Sequence, residues 1–191
     1  MGQYYRNAIL KRDFRNEEQP VAMTLCPYDY DSGAKLMEFS WIGNGLMRRI
    51  EWLLANQFAG FNFVTVGDYS DEIEINGKNT NVYYKADDFE ESEEGKEIEA
   101  SIPEYEDIPY YKYAVNLDKK EYAILKNNGS KWTVHPLSLL CSFGNQRGGG
   151  DYYGDDIESV GKWAFDRILV TNDKEETKGM KEIKPRFKER Y

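Results

Sequence analysis

The densest chemistry in this chain lies in Gly144-Asn145-Gln146-Arg147-Gly148-Gly149-Gly150-Asp151-Tyr152-Tyr153-Gly154-Asp155-Asp156. Successive glycine amides can form a concave nest for an anion, Arg147 can supply the charge, and Tyr152 or Trp163 can offer a stacking face to a base. The loop lacks the Gly-Lys-Ser/Thr end of a phosphate loop and the strand-loop-helix order of a dinucleotide fingerprint. A tight turn that lets backbone pass beneath Trp163 or a tyrosine is therefore the competing reading.

Other reactive residue types are sparse. Asp151, Asp155, Asp156 and Glu158 offer oxygen ligands for a hard cation, but their spacing follows no established ligand order and suits solvated turn acids. His135 is the sole histidine. A triad would need Ser138, Cys141 or Ser142 beside it, and none stands in a nucleophile turn. One histidine and two separated cysteines do not make a zinc set. Asp166-Arg167 opens a strand, as a catalytic acid beside a positioning base or as an ion pair. The candidates for binding a ligand or partner are thus Arg147, Gly148, Gly149, Gly150, Asp151, Tyr152, Tyr153, Trp163 and Asp166, with no catalytic residue, metal or cofactor assigned. A further surface of aromatic anchors would draw on Tyr4, Tyr28, Tyr30, Tyr69 and Trp41, with core packing taking at least half of such residues.

Charge narrows the function classes. The formal net charge is -9, which argues against general nucleic-acid binding, since phosphate affinity needs clustered Lys and Arg. From Asp87 to Asp107 eleven acids face Lys96 alone, a local charge of -10, and the rest is close to neutral. No apolar run reaches the roughly 18 residues of a membrane helix, and the N-terminus carries no charged-then-apolar signal pattern, so the expected setting is a host cytosol. Cys26 and Cys141 sit in apolar company, as free thiols of a reducing compartment do.

Periodicity supplies the elements that must position these groups. Gln3–Leu10, Val21–Cys26, Phe61–Val66, Tyr111–Asn116, Glu121–Leu125 and Asp166–Thr171 alternate or run apolar as strands do, and Trp132–Val134 suggests a short one. Leu46, Met47, Ile50, Leu53 and Leu54 mark one face of a helix capped by Asn44, with Arg48, Arg49 and Glu51 mostly on the other. Pro136 opens another helix. Ile73–Ile75 and Asn81–Lys85 suggest a hairpin across a loop of several residues. The expected architecture is α+β, with mixed or antiparallel sheets and few helices. It divides into an N-terminal lobe 1–86, an acidic linker or loop 87–108, a C-terminal lobe 109–173 and a basic tail 174–191. Three echoes suggest an internal repeat: Tyr4–Ala8 with Tyr110–Ala114, Ile42–Asn44 with Phe143–Asn145, and Phe63–Asp68 with Ile168–Asp173, at offsets of about 101 to 106. In that scheme the loop around Arg147 takes the place of the first lobe's helix. The tail is expected to be solvated.

Met1-Gly2-Gln3-Tyr4-Tyr5, Lys35–Trp41, Val66-Gly67-Asp68-Tyr69, Asn116–Tyr122, His135-Pro136-Leu137, Gly148–Tyr152 and Gly161–Asp166 together resemble a family of uncharacterised proteins of bacteria, phages and mobile elements. The resemblance implies kinship and a mobile-element setting, and no mechanism. The leading expectation is a non-catalytic protein-binding factor, of inhibitor, counter-defence or immunity type, that meets the basic face of another protein. The alternative is a small-molecule or nucleotide binder or hydrolase that uses loop 144–156.

Overall fold

The computed structural model describes residues 3–130, 132–144 and 152–188, and it shows an α+β protein whose sheet is mostly antiparallel. Strands β1 (Tyr5–Leu10) and β2 (Val21–Leu25) form an antiparallel pair. The short helix α1 (Leu36–Phe39) and then α2 (Gly45–Ala55) lead to β3 (Phe61–Gly67), which returns antiparallel to β1. The Asn44 side chain caps α2 by accepting from the amides of Leu46 at 2.9 Å and Met47 at 3.2 Å. Leu46, Met47, Ile50, Leu53 and Leu54 are fully buried, each contributing roughly 1.5–3 kcal/mol of transfer free energy. Arg48 and Glu51, expected on the solvent face of this helix, are buried as well.

A small hairpin follows, β4 (Ile73–Ile75) and β5 (Lys78–Thr80). Its turn is the two residues Asn76 (φ 50°) and Gly77 (φ 70°), both left-handed, as a turn matching the strand twist requires. The sequence reading placed the second strand at Asn81–Lys85. Instead Asn81 caps a helix, because its side chain accepts from the Tyr83 amide at 2.9 Å. The acidic segment is accordingly helical: α3 (Val82–Glu90), α4 (Glu93–Ala100) and a 3-10 turn at Tyr105–Asp107. Val82, Ala86 and Phe89 are buried, so α3 covers the sheet at β1 and β2 instead of linking two bodies across solvent.

The second half begins with the hairpin β6 (Tyr113–Asn116) and β7 (Glu121–Ile124). Helix α5 (Pro136–Leu140) precedes the two-residue strand β8 (Ser142–Phe143), and β9 (Arg167–Thr171) returns antiparallel to β6. Val134 makes an isolated bridge to Trp41 in place of a full strand. The chain then closes with β10 (Lys181–Glu182). The order across the sheet is β10-β7-β6-β9-β3-β1-β2, with β8 beside β3. Only β10 with β7 and β3 with β8 run parallel among the described strands.

Both halves repeat one arrangement, a hairpin whose first strand is flanked by a returning third strand. Ala8 faces Val64 and Ala114 faces Val170, so both members of the pair move by 106 residues. The seam obeys the same shift: Phe61 pairs Ile168 and Asn62 pairs Arg167, and moving by 106 exchanges one pairing for the other. Val64 therefore corresponds to Val170, one residue away from the equivalence the bare sequence suggests. Strand equivalence is decided by facing, since a slip of one residue turns every side chain to the other side.

Neighbouring residues on β1 show what lies on each face. The Arg6 side chain meets Asp87 and Glu90 of α3, whereas the Asn7 side chain meets Met47 of α2 and accepts from the Thr65 hydroxyl at 2.8 Å. Side chains alternate across a strand, so α3 and α2 cover opposite faces of the sheet.

Candidate functional site

Arg147, Gly148, Gly149, Gly150 and Asp151 lie outside the described residues. The part of the loop that follows is a docking point for the C-terminal segment. Tyr152 is buried. Its hydroxyl donates to the Asp155 carbonyl at 2.5 Å and accepts from the Lys188 amide at 2.9 Å, while its ring packs edge-on against Phe187. The Arg186 amide donates to the Asp156 carboxylate at 2.8 Å, and Ser159 donates to the same carboxylate at 2.8 Å. Asp156 thus serves in a turn. The tail, expected to be solvated, lies on this loop because its backbone satisfies hydrogen bonds there.

Gly154 is required by that approach, since a Cβ would collide with the Lys188 carbonyl oxygen and the Tyr152 hydroxyl. Gly154→Ala is expected to lift the tail, destabilise the fold by about 1–3 kcal/mol as overpacking does, and speed tryptic cleavage after Arg186 and Lys188. An unchanged digestion pattern with an unchanged melting temperature would refute the docking.

The other candidates separate. Tyr153 is exposed. Trp163 is fully buried, donating its indole N–H to Glu121 at 3.0 Å and its amide to the Leu140 carbonyl at 2.7 Å. Asp166 accepts from Asn116 Nδ2 at 2.8 Å and from Lys119 Nζ at 2.5 Å. Arg167 turns to Asp118, donating its amide at 2.7 Å and Nε at 2.8 Å. Burial pushes the Asp118 carboxyl up, but these Arg167 bonds and charge outweigh it and hold it below its usual range. Asp166 and Arg167 therefore belong to two strand-end pairs and share no substrate-facing geometry. Among the aromatic anchors, Tyr4, Tyr28 and Tyr69 are exposed and Trp41 is buried.

His135 is fully buried and faces Glu51 across 2.6 Å. Its Nδ1 accepts from the Leu137 amide at 3.2 Å, which leaves Nε2 to carry the proton and donate to Glu51. Ser138 is buried too and donates to the His135 carbonyl at 3.2 Å. Both ring nitrogens are committed and no hydroxyl among the described residues is hydrogen-bonded to the imidazole, so this pair ties α2 to α5. Both cysteines are free. Burial, with a smaller contribution from Asp166, pushes the Cys141 thiol far up, which suits inert packing. Cys26, Asp29 and Glu90 bring ligand atoms within 4.8 Å of one another. Glu90 is already paired with Arg6.

The feature that local sequence reading missed is how firmly the acidic segment is held. Arg6 grips its start through Asp87 and Glu90 and lies 5.5 Å over the Tyr83 ring. Tyr30 donates to Glu99, and Arg49 lies 4.5 Å over the Tyr30 ring. Burial first, then Glu99, pushes the Tyr30 hydroxyl far above the ordinary tyrosine range. At the far end Arg48 is sandwiched between Tyr105 at 4.4 Å and Tyr110 at 4.1 Å, and it donates to the Ile108 carbonyl. The arginine pair at positions 48 and 49 was the only available signal. Asp87, Asp88, Glu91, Glu93, Glu94, Glu97, Glu104, Glu106 and Asp107 remain exposed. Of these, only Asp87 is ion-paired among the described residues.

These features define an α+β protein with an ordered acidic face and a groove beneath its basic tail. No family model, no curated protein and no solved structure matches the chain. No helix among the described residues is long and apolar enough to cross a membrane.

Proposed function

We propose that this chain is a non-catalytic protein-binding factor whose acidic face docks on the basic face of another protein. The observation that carries this reading is the anchoring of residues 87–107 at Arg6, Tyr30 and Arg48, which holds exposed carboxylates on two helices and a 3-10 turn. A fixed array of like charge steers association and raises the on-rate in a salt-dependent way. It also removes the ordering entropy that a flexible acidic segment would lose on binding. The mobile-element setting, with an inhibitor, counter-defence or immunity role, rests on the motif resemblance alone.

The test uses charge reversal, because deleting the segment would strip buried Val82, Ala86 and Phe89 from the sheet. Asp88, Glu91, Glu94 and Glu97 are exposed, so changing all four to lysine should leave the fold intact. A partner captured from bacterial lysate should bind this variant at least tenfold more weakly, with most of its salt dependence gone. Equal affinity and equal salt dependence would sink the reading.

A further inference from the structure

A groove of about 730 Å³ runs between the C-terminal segment and the stretch that follows β7. The stretch after β7 contributes Lys126, Val134 and Pro136 to its lining, and the C-terminal segment contributes Ile183, Arg186 and Phe187. The size falls in the range of small-molecule sites, while seven of the fifteen lining residues are charged, so the lining is more polar than such sites usually have.

Its charges are unevenly satisfied. Three carboxylates line it: Asp155, Asp156, which accepts from the Arg186 amide and Ser159, and Glu182, which meets Tyr122 at 3.3 Å and Lys184 at 3.4 Å. Lys126, Arg186 and Lys188 also line the groove, and none of them is ion-paired with another described residue. Four cations against three acids, with Asp156, Glu182 and Lys184 already engaged, favour a guest that brings negative charge. Val134, Pro136, Ile183 and Phe187 give that guest apolar side chains against which a body can lie.

We propose that this groove binds a small organic anion, an aromatic or aliphatic body bearing one phosphate, sulfonate or carboxylate. Phe187 and Pro136 would cover the body, and Lys126 with Arg186 would meet the anionic group. None of the described lining residues belongs to the acidic face, so the proposal stands or falls independently of the protein-binding reading.

Calorimetric titration with 1-naphthyl phosphate tests it, with inorganic phosphate and 1-naphthalenemethanol as the two half-ligands. The full probe should saturate one site with a dissociation constant on the order of 10–100 µM, as its size allows. Each half-ligand should bind at least about tenfold more weakly. Lys126→Glu and Arg186→Glu change exposed side chains, so the variants, made singly and together, should melt as the parent does. Each single change should weaken the probe by about tenfold or more, the size of one charge-assisted contact. Absence of saturation to millimolar probe, equal binding of the neutral alcohol, or full affinity in both single variants would each overturn the proposal.

Discussion

Replacing Arg48 by alanine is expected to destabilise the protein by about 3 kcal/mol, through loss of a cation held between two rings and of its bond to a backbone carbonyl. The guanidinium lies 4.4 Å from the Tyr105 ring and 4.1 Å from that of Tyr110, and it is almost wholly buried. Stacked, desolvated cation–ring contacts sit at the upper end of their range, near 2 kcal/mol each, and removing the arginine relieves part of its own desolvation. For a chain of this size that loss lowers the melting temperature by roughly 6–12 °C. Amide exchange should quicken across residues 101–110 before it does in the sheet. Arg48→Lys should not rescue, because a compact ammonium cannot lie flat between two rings while also bonding Ile108. A melting temperature within about 2 °C of the parent would show that the clamp contributes little.

The second large effect concerns the pair joining α2 to α5. Glu51→Ala leaves the His135 Nε2 proton in a fully buried site without its acceptor, with an expected cost of about 2–3 kcal/mol. Glu51→Gln retains an oxygen acceptor and is expected to lose only about 1–2 kcal/mol. Chemical denaturation of the three proteins separates the cases. Equal midpoints for the glutamine and alanine variants would mean that the carboxylate, and not merely an acceptor, holds the histidine.

The strands and the main helix were legible because apolar spacing records which side of an element is buried. Leu46, Met47, Ile50, Leu53 and Leu54 appear at helical spacing, and Asn44 at the cap position does the capping. The same pattern misled at Arg48 and Glu51. A polar residue on the outer face of an isolated helix is solvated, but here a tyrosine pair and a histidine close over that face. Those partners come from residues 105, 110 and 135, and no local window contains them.

The acidic segment shows the same limit from the other side. Its composition lacks the apolar area to order itself, and a linker or loop is the local expectation. Three contacts from elsewhere in the chain, at Arg6, Tyr30 and Arg48, with Phe89 tucked on the sheet, supply what the segment lacks. The candidate loop was legible only in part. Tyr152 and Gly154 do have a close-approach role, yet the approaching backbone is the basic tail, which charge alone assigned to solvent.

By itself the sequence determined the α+β class, the strands and the capped helix, since these follow from periodicity and turn chemistry within short windows. It also carried a trace of the repeat. Only the tertiary structure decided that the repeated units join along β3 and β9 in one sheet, in a register displaced by 106 residues. The same holds for the docked tail, the groove beneath it, and the exposed carboxylates fixed in space. Each of these depends on hydrogen bonds, ion pairs and ring contacts between residues dozens of positions apart, and such pairings leave no periodic mark in the chain that forms them.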